Sequence, residues 1–291
     1  MIATESIRGR RGLSRRRMVK DRAFTIAMWG AGILAMLPLL FIAGFVVVKG
    51  ISALNAAFFT KTPSYPGDPN QGIAQAFVGT AMVVGVATLI SVPLGLLGGI
   101  YLSEYGKGRL ASAVRFVAEV LLSTPSIVAG AFIYAVVVVT LGSFSAFAGA
   151  VALTVLMWPI ITRATEEILR LVPQEYREGS LALGIPRWRT ITRIVVPTAG
   201  AGIFTAIMLA VARGLGETAP VLLTALGNDF MNTHLFRPTD TVSLRVFNYA
   251  QQPTPQFVTI AWGGAIMLLV AVLGLSITAR VLSNRQQKRL G

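Results

Sequence analysis

The feature that most constrains this chain is a set of long apolar blocks nearly free of charge. AFTIAMWGAGILAMLPLLFIAGFVVV (23–48) and AFVGTAMVVGVATLISVPLGLLGGIYLS (76–103) contain no Asp, Glu, Lys or Arg. Each exceeds the roughly 20 residues that a helix needs to cross a ~30 Å hydrocarbon core. A helix satisfies its own backbone hydrogen bonds, which is what a lipid interior demands. Further blocks at 116–141, 146–162, 199–226 and 257–282 bring the expected number of spans to six. Charged residues make up only 13% of the chain and mean hydropathy is +0.68, where a soluble domain would carry about a quarter charged. The expected fold class is therefore all-α, a polytopic membrane helical bundle.

The distribution of basic residues orients these spans. Of the 26 Lys and Arg, 21 fall in the N-terminal tail, the 104–115 and 163–198 connections and the C-terminal end. The alternate loops, 49–75 and 227–256, hold only Lys49, Lys61, Arg237 and Arg245. The positive-inside rule then places both termini and residues 163–198 in the cytoplasm of a bacterial plasma (inner) membrane. The same asymmetry accounts for the net charge of +14 without invoking nucleic acid. The organisation expected is a basic tail (1–22), a permeable-core bundle (23–282) and a short cytoplasmic tail (283–291). The first span is too long for a cleaved signal and is expected to remain. Residues 142–145 predict a tight hairpin between the third and fourth spans. Gly95 and Gly99 have the spacing that lets two helices approach closely.

Between the fourth and fifth spans lies a polar stretch of about 35 residues, including EGSLALGIPRWRTITRIVVP (178–197). Pro173 suits the first turn of a helix, Glu175 and Glu178 suit its positive end, and Gly184 suits a left-handed cap. These signals predict a short helix over 173–183. A second helix begins at Pro186 and ends at Pro197. Such a segment either lies amphipathically on the bilayer or fits a groove on a soluble partner.

The fifth span carries two charges. Arg213 follows twelve uncharged residues and Glu217 comes one helical turn later. An arginine at the centre of a span costs about 2.5–3.5 kcal/mol on insertion scales and generally faces the bundle interior or a wet cavity. The pair either locks helices together, or Arg213 lines a path for an anion whose oxygens match the guanidinium fork. Gly214, Gly216 and Pro220 predict a local interruption of the helix. Glu119, at the start of a span beside Arg115, reads as structural, and His234 as an ordinary loop residue.

The polar stretch resembles the cytoplasmic signature of ATP-binding-cassette importer permeases. That signature is E-A-A, three residues, G, nine residues, then I-x-L-P. Glu178, Gly179, Ser180, Gly184, Ile194 and Pro197 fall at its positions, with Gly179, Ser180 and Val196 as exchanges. VPLGLLGGIYLSEY, STPSIVAGAF, ARGLGETAPVLLTALG and AWGGAIMLLVAVLGL are similar to the phosphate-specific (Pst) import permeases of the PstA type. The resemblance implies a type I importer permease whose 173–183 helix couples to an ATPase. It implies a homologous PstC-type permease, two ATP-binding PstB-type subunits and an extracytoplasmic PstS-type phosphate-binding protein as partners. ATP and Mg would be bound by those partners, with no cofactor in this chain, and Arg213 and Glu217 would lie on the phosphate path.

No GxxxxGK[ST] phosphate loop occurs, a single histidine cannot supply HExxH, and there is no cysteine. The chain is thus expected to be a transport subunit without catalytic residues or a metal site. Two alternatives stand beside phosphate import. One is an importer for another oxyanion such as sulfate, molybdate or phosphonate. The other is a gradient-driven carrier with Glu217 moving protons.

Overall fold

A computed structural model describes residues 14–290 apart from Pro69; side chains at 14–16, 18 and 284–290 are outside this description. Most of the basic 1–22 tail therefore lies outside the described residues. Two compact units are present, one ending at Val48 and one beginning at Lys49.

The first unit is the greater part of helix α1 (Ser14–Gly50). Its apolar side chains, Trp29 and Phe41 among them, are exposed over its length, as a lipid-facing span requires.

In the second unit a 3₁₀ turn (Ile51–Ala53) and α2 (Ala56–Thr60) lead into α3 (Ala74–Ile100). Helix α3 continues through a wide π-turn, Tyr101–Tyr105. Then come α4 (Arg109–Ser123), α5 (Ser126–Ile133), a second π-turn (Tyr134–Val138) and α6 (Val139–Leu141). The chain goes on through α7 (Ala146–Arg170), α8 (Gln174–Ala182) and α9 (Arg187–Thr190). A third π-turn (Ile191–Val195) leads into α10 (Val196–Gly216). The last elements are α11 (Ala219–Ala225), α12 (Val242–Ala250) and α13 (Pro255–Leu290). Among the described residues, five helices are long and apolar enough to span, or six if α4 with α5–α6 counts as one.

Helix α7 is the axis of the second unit, packing against α3, α10 and α11. A methyl group on Gly95 would come within 2.7 Å of the Ile161 Cβ, and one on Gly99 within 2.5 Å of the Thr165 Cβ. Glycine at these two positions is what brings the α3 and α7 backbones together. Val83, Leu153, Met157, Ile161, Ala210 and Val221 form the central core. The hairpin at 142–145 is present: Gly142 caps α6 at φ +69°, and Ser145 accepts the Ala148 N–H at 3.1 Å.

Three expectations about the spans need correction. The 116–141 span is not one helix: α4 and α5 meet at 110°. Pro125 holds the preceding Thr124 in extended geometry (ψ 130°), which ends α4. The 199–226 span also breaks, at Glu217 (ψ 124°), and Pro220 opens α11 rather than kinking a continuous helix. Conversely, Pro197 ends nothing, because Arg187–Gly216 runs on as one rod. The preceding π-turn carries the Val196 N–H to the Ile191 carbonyl, so the ladder has already shifted register where the proline lacks its donor.

Candidate functional site

Two charged sites lie at opposite ends of α3. The first is built around α8. Pro173 precedes it and Glu175 sits in its first turn. Gly184 (φ +73°) closes it with two carbonyl bonds: its own N–H donates to Leu181 and that of Ile185 to Ser180. This double bond pattern satisfies the last orphan carbonyls of the helix. The helix predicted over 173–183 is thus present, one residue shorter at each end.

The signature residues divide by what they touch. Glu178 is exposed, and Gly179 and Gly184 have open space where a side chain would be. Tyr176, Leu181 and Leu183 expose apolar surface on the same helix–turn segment. Ser180 is buried instead, its hydroxyl 2.8 Å from that of Thr190, so it ties α8 to α9. Ile194 is half-buried and Pro197 exposed on the rod that follows. Leu169, Val172, Val195, Ala199 and Ile203 form the apolar seat beneath the segment.

Four ion-pair residues here escaped the sequence reading. Glu104, at the end of α3, is buried and receives the Arg177 guanidinium of α8 at 2.7 Å. Arg177 also donates to the Val172 and Leu169 carbonyls at 2.7 and 2.9 Å. Glu166 of α7 is fully buried and bound by Arg170 at 2.5 Å, Arg115 at 2.7 Å and Arg163 at 3.0 Å. A buried carboxylate is tolerable only when so compensated. Arg115 therefore serves Glu166, whereas Glu119 pairs with Arg163 at 3.4 Å. The Arg163-x-x-Glu166 and Glu166-x-x-x-Arg170 spacings were visible as helical neighbours. The contacts to Arg115 and between Glu104 and Arg177 join residues 51 and 73 positions apart, and no local spacing signals them.

The second site is the break after α10. Arg213 and Glu217 do come together, at 3.4 Å. The arginine side chain is 51% exposed and the carboxylate 15%. Arg213 occupies the last turn of α10, where the negative end of the helix dipole favours a cation. Gly214 lets the α10 backbone close on α7, since a methyl there would lie 2.9 Å from the Met157 sulfur; Gly216 faces open space. The Glu217 carbonyl accepts the Ser243 hydroxyl at 3.0 Å, which fixes the break against α12.

Beside it, Asp240 pairs with Arg245 at 2.5 Å and accepts from the Gln75 amide at 3.1 Å. Burial pushes its carboxyl up to about 6, against the opposing pull of Arg245. This pair lies in the loop and short helix outside the spans, and packs over the N-terminal part of α3. There Thr80 accepts the Val242 N–H at 2.9 Å, and the Asp240 backbone abuts Gly79.

This fold recurs in solved importers. A bacterial alginate ABC transporter in complex with its pentasaccharide-bound periplasmic protein superposes with TM-score 0.61 at 16% identity, covering 92% of this chain and 96% of that one. An inward-facing MetNI methionine ABC transporter gives TM-score 0.58 at 17% identity, covering 74% and 95%. Residues 91–290 match the family described as binding-protein-dependent transport system inner membrane component. The chain belongs to that family: it is a multi-pass inner-membrane permease subunit of an ABC importer.

The particular branch follows from its relatives. It is 40% identical over 272 residues to the phosphate transport system permease protein PstA of Yersinia pestis, covering 93% of this chain and 92% of the relative. The Xylella fastidiosa PstA is 42% identical over 276 residues (94% and 95%), and PstA 1 of Mycobacterium tuberculosis 39% over 278 (94% and 91%). Within the family this is a PstA-type permease.

Proposed function

We propose that this chain forms half of the translocation path of an ATP-driven inorganic phosphate importer. The observation that carries the reading is an exposed guanidinium on a spanning helix, Arg213, held by only one long ion pair. In contact with lipid it would be costly. Facing a wet path shared with a second permease, it meets an anion with a planar fork of donors. Glu217 holds it in the empty state and releases it when phosphate arrives.

The second permease is a homologous PstC-type subunit. Two PstB-type subunits bind ATP and Mg on the cytoplasmic side, and a PstS-type protein delivers phosphate from outside. Helix α8 docks on an ATPase, presenting Glu178, Tyr176 and Leu181 from a capped, stiff element. Both termini and the α8 end face the cytoplasm, where the basic residues concentrate. Catalysis and cofactors belong to the ATPase subunits.

The test is uptake into vesicles holding the reconstituted complex. Accumulation should require ATP and survive an excess of sulfate. Equal displacement by sulfate, molybdate or phosphonate would reassign the substrate. Uptake driven by a proton gradient without any ATPase would overturn the reading.

A further inference from the structure

The ion pair between Glu104 and Arg177 joins α8 to a part of the protein far from it in sequence. Helix α3 and its π-turn form a continuous rod from residue 74 to 105. At ~1.5 Å per residue that is roughly 48 Å, more than a bilayer's hydrocarbon thickness. The α8–α9 segment grips the last two residues of this rod from both limbs. From α8, Arg177 presents its Nε to both Glu104 carboxylate oxygens at 3.3 Å and its Nη2 to one of them at 2.7 Å. From α9, Arg187 donates to the Glu104 carbonyl and lies 4.9 Å over the Tyr105 ring.

The other end of the rod is held as firmly. Thr80 binds the Val242 backbone, Asp240 abuts Gly79, and Ser243 of the same loop–helix junction holds the Glu217 carbonyl. Continuous contacts thus run from α8 through Glu104, along α3, to the residue that pairs with Arg213.

We propose that Glu104 and Arg177 are positioning residues that fix α8 to α3, so that movement of the docking helix displaces the α3 rod and the Glu217 junction together. The proposal rests on α8 docking an ATPase. It is specific about which helix receives the motion. The charged contact is nearly dry, with side-chain exposures of 4% and 14%, so water and salt weaken it little.

The test uses the whole reconstituted complex and reads phosphate accumulated per ATP hydrolysed. Glu104→Gln and Arg177→Met should each lower that ratio by about tenfold, within the range that perturbed coupling contacts reach. ATP hydrolysis per assembled complex should persist. Arg177→Lys keeps the charge and should recover part of the ratio. A purely structural pair would reduce the amount of complex and leave the ratio unchanged, and that result would overturn the proposal.

A second measurement avoids disturbing the pair. The chain has no cysteine, so Lys107→Cys and Leu183→Cys, both exposed, accept spin labels cleanly. The label distance should be the same without nucleotide and with ATP bound. A change of about one helical turn, ~5 Å, would show α8 moving independently of α3 and would sink the latch. Absence of any ATPase from the native assembly would overturn the docking reading as well. A normal ratio, or a moving label pair, in a complex that contains the ATPase overturns the latch alone.

Discussion

The two charged regions of this permease are built to opposite specifications. At the α8 end, Glu104 and Glu166 are buried and each is held by close guanidinium contacts, at 2.5–3.0 Å for Glu166 and 2.7 Å for Glu104. At the break after α10, Arg213 and Glu217 stand 3.4 Å apart with the arginine half in the open. A buried carboxylate that loses a partner is left uncompensated, which typically costs 3–5 kcal/mol. An exposed pair contributes only about 0.2–1 kcal/mol. The first arrangement suits a joint that keeps its geometry. The second suits a contact that an incoming anion can displace.

That contrast can be broken at four points. The largest effect is expected at the loose pair, on function: Arg213→Gln should lower phosphate uptake by about 30-fold or more, the loss seen when one member of a desolvated charge contact is removed. The complex should still assemble, as judged by co-purification of its subunits. Uptake retained in the variant would move the pair to a structural role.

At the tight end, Glu166→Gln should cost about 3–5 kcal/mol. The readout is a lower thermal midpoint of the purified complex, with Arg115, Arg163 and Arg170 left short of a counter-charge. An unchanged midpoint would mean that the three arginines find other partners.

Asp240 offers a pH test. Burial raises its carboxyl to about 6, so the folded state binds this proton more tightly than the unfolded chain does. The stability this preference contributes is complete below about pH 4 and is lost as pH rises through 6. Asp240→Asn should remove a pH dependence on the order of 3 kcal/mol between those limits, seen as a flatter midpoint-versus-pH curve. A curve of native steepness would refute the assignment.

The smallest effect is expected for Glu217→Gln, a change in uptake rate of about two- to fivefold with assembly intact, in keeping with a weak exposed pair. A wholly normal rate would show that Glu217 does not restrain Arg213.

Much of the bundle was legible because its determinants are local. Charge-free length marks the spans, and Pro173, Glu175 and Gly184 delimit α8 to within a residue at each end. The interruption near Gly214 and Pro220 was also visible, although its form was not. Pro125 carried the signal for the α4–α5 bend, but apolar composition on both sides masked it. Pro197 misled in the other direction, because a π-turn needs no distinctive residue to absorb a missing donor.

The charged clamps were the least legible part. Glu104 meets Arg177 only after α3 and α7 have packed, and Arg115 reaches Glu166 across two helices. The signature residues held a similar surprise in Ser180, which occupies a recognition position yet turns inward to Thr190.

The π-turns at Tyr101–Tyr105 and Ile191–Val195 have a consequence for how these rods meet their surroundings. Each wide turn accommodates one surplus residue, so side chains beyond it are carried about 100° around the axis relative to an uninterrupted helix. A stripe of residues that faces the apolar core on one side of the turn therefore gives way to a differently directed stripe on the other. Azimuth is reset without a bend, and a single straight rod addresses the bilayer bundle along most of its length and a different set of neighbours at its tip.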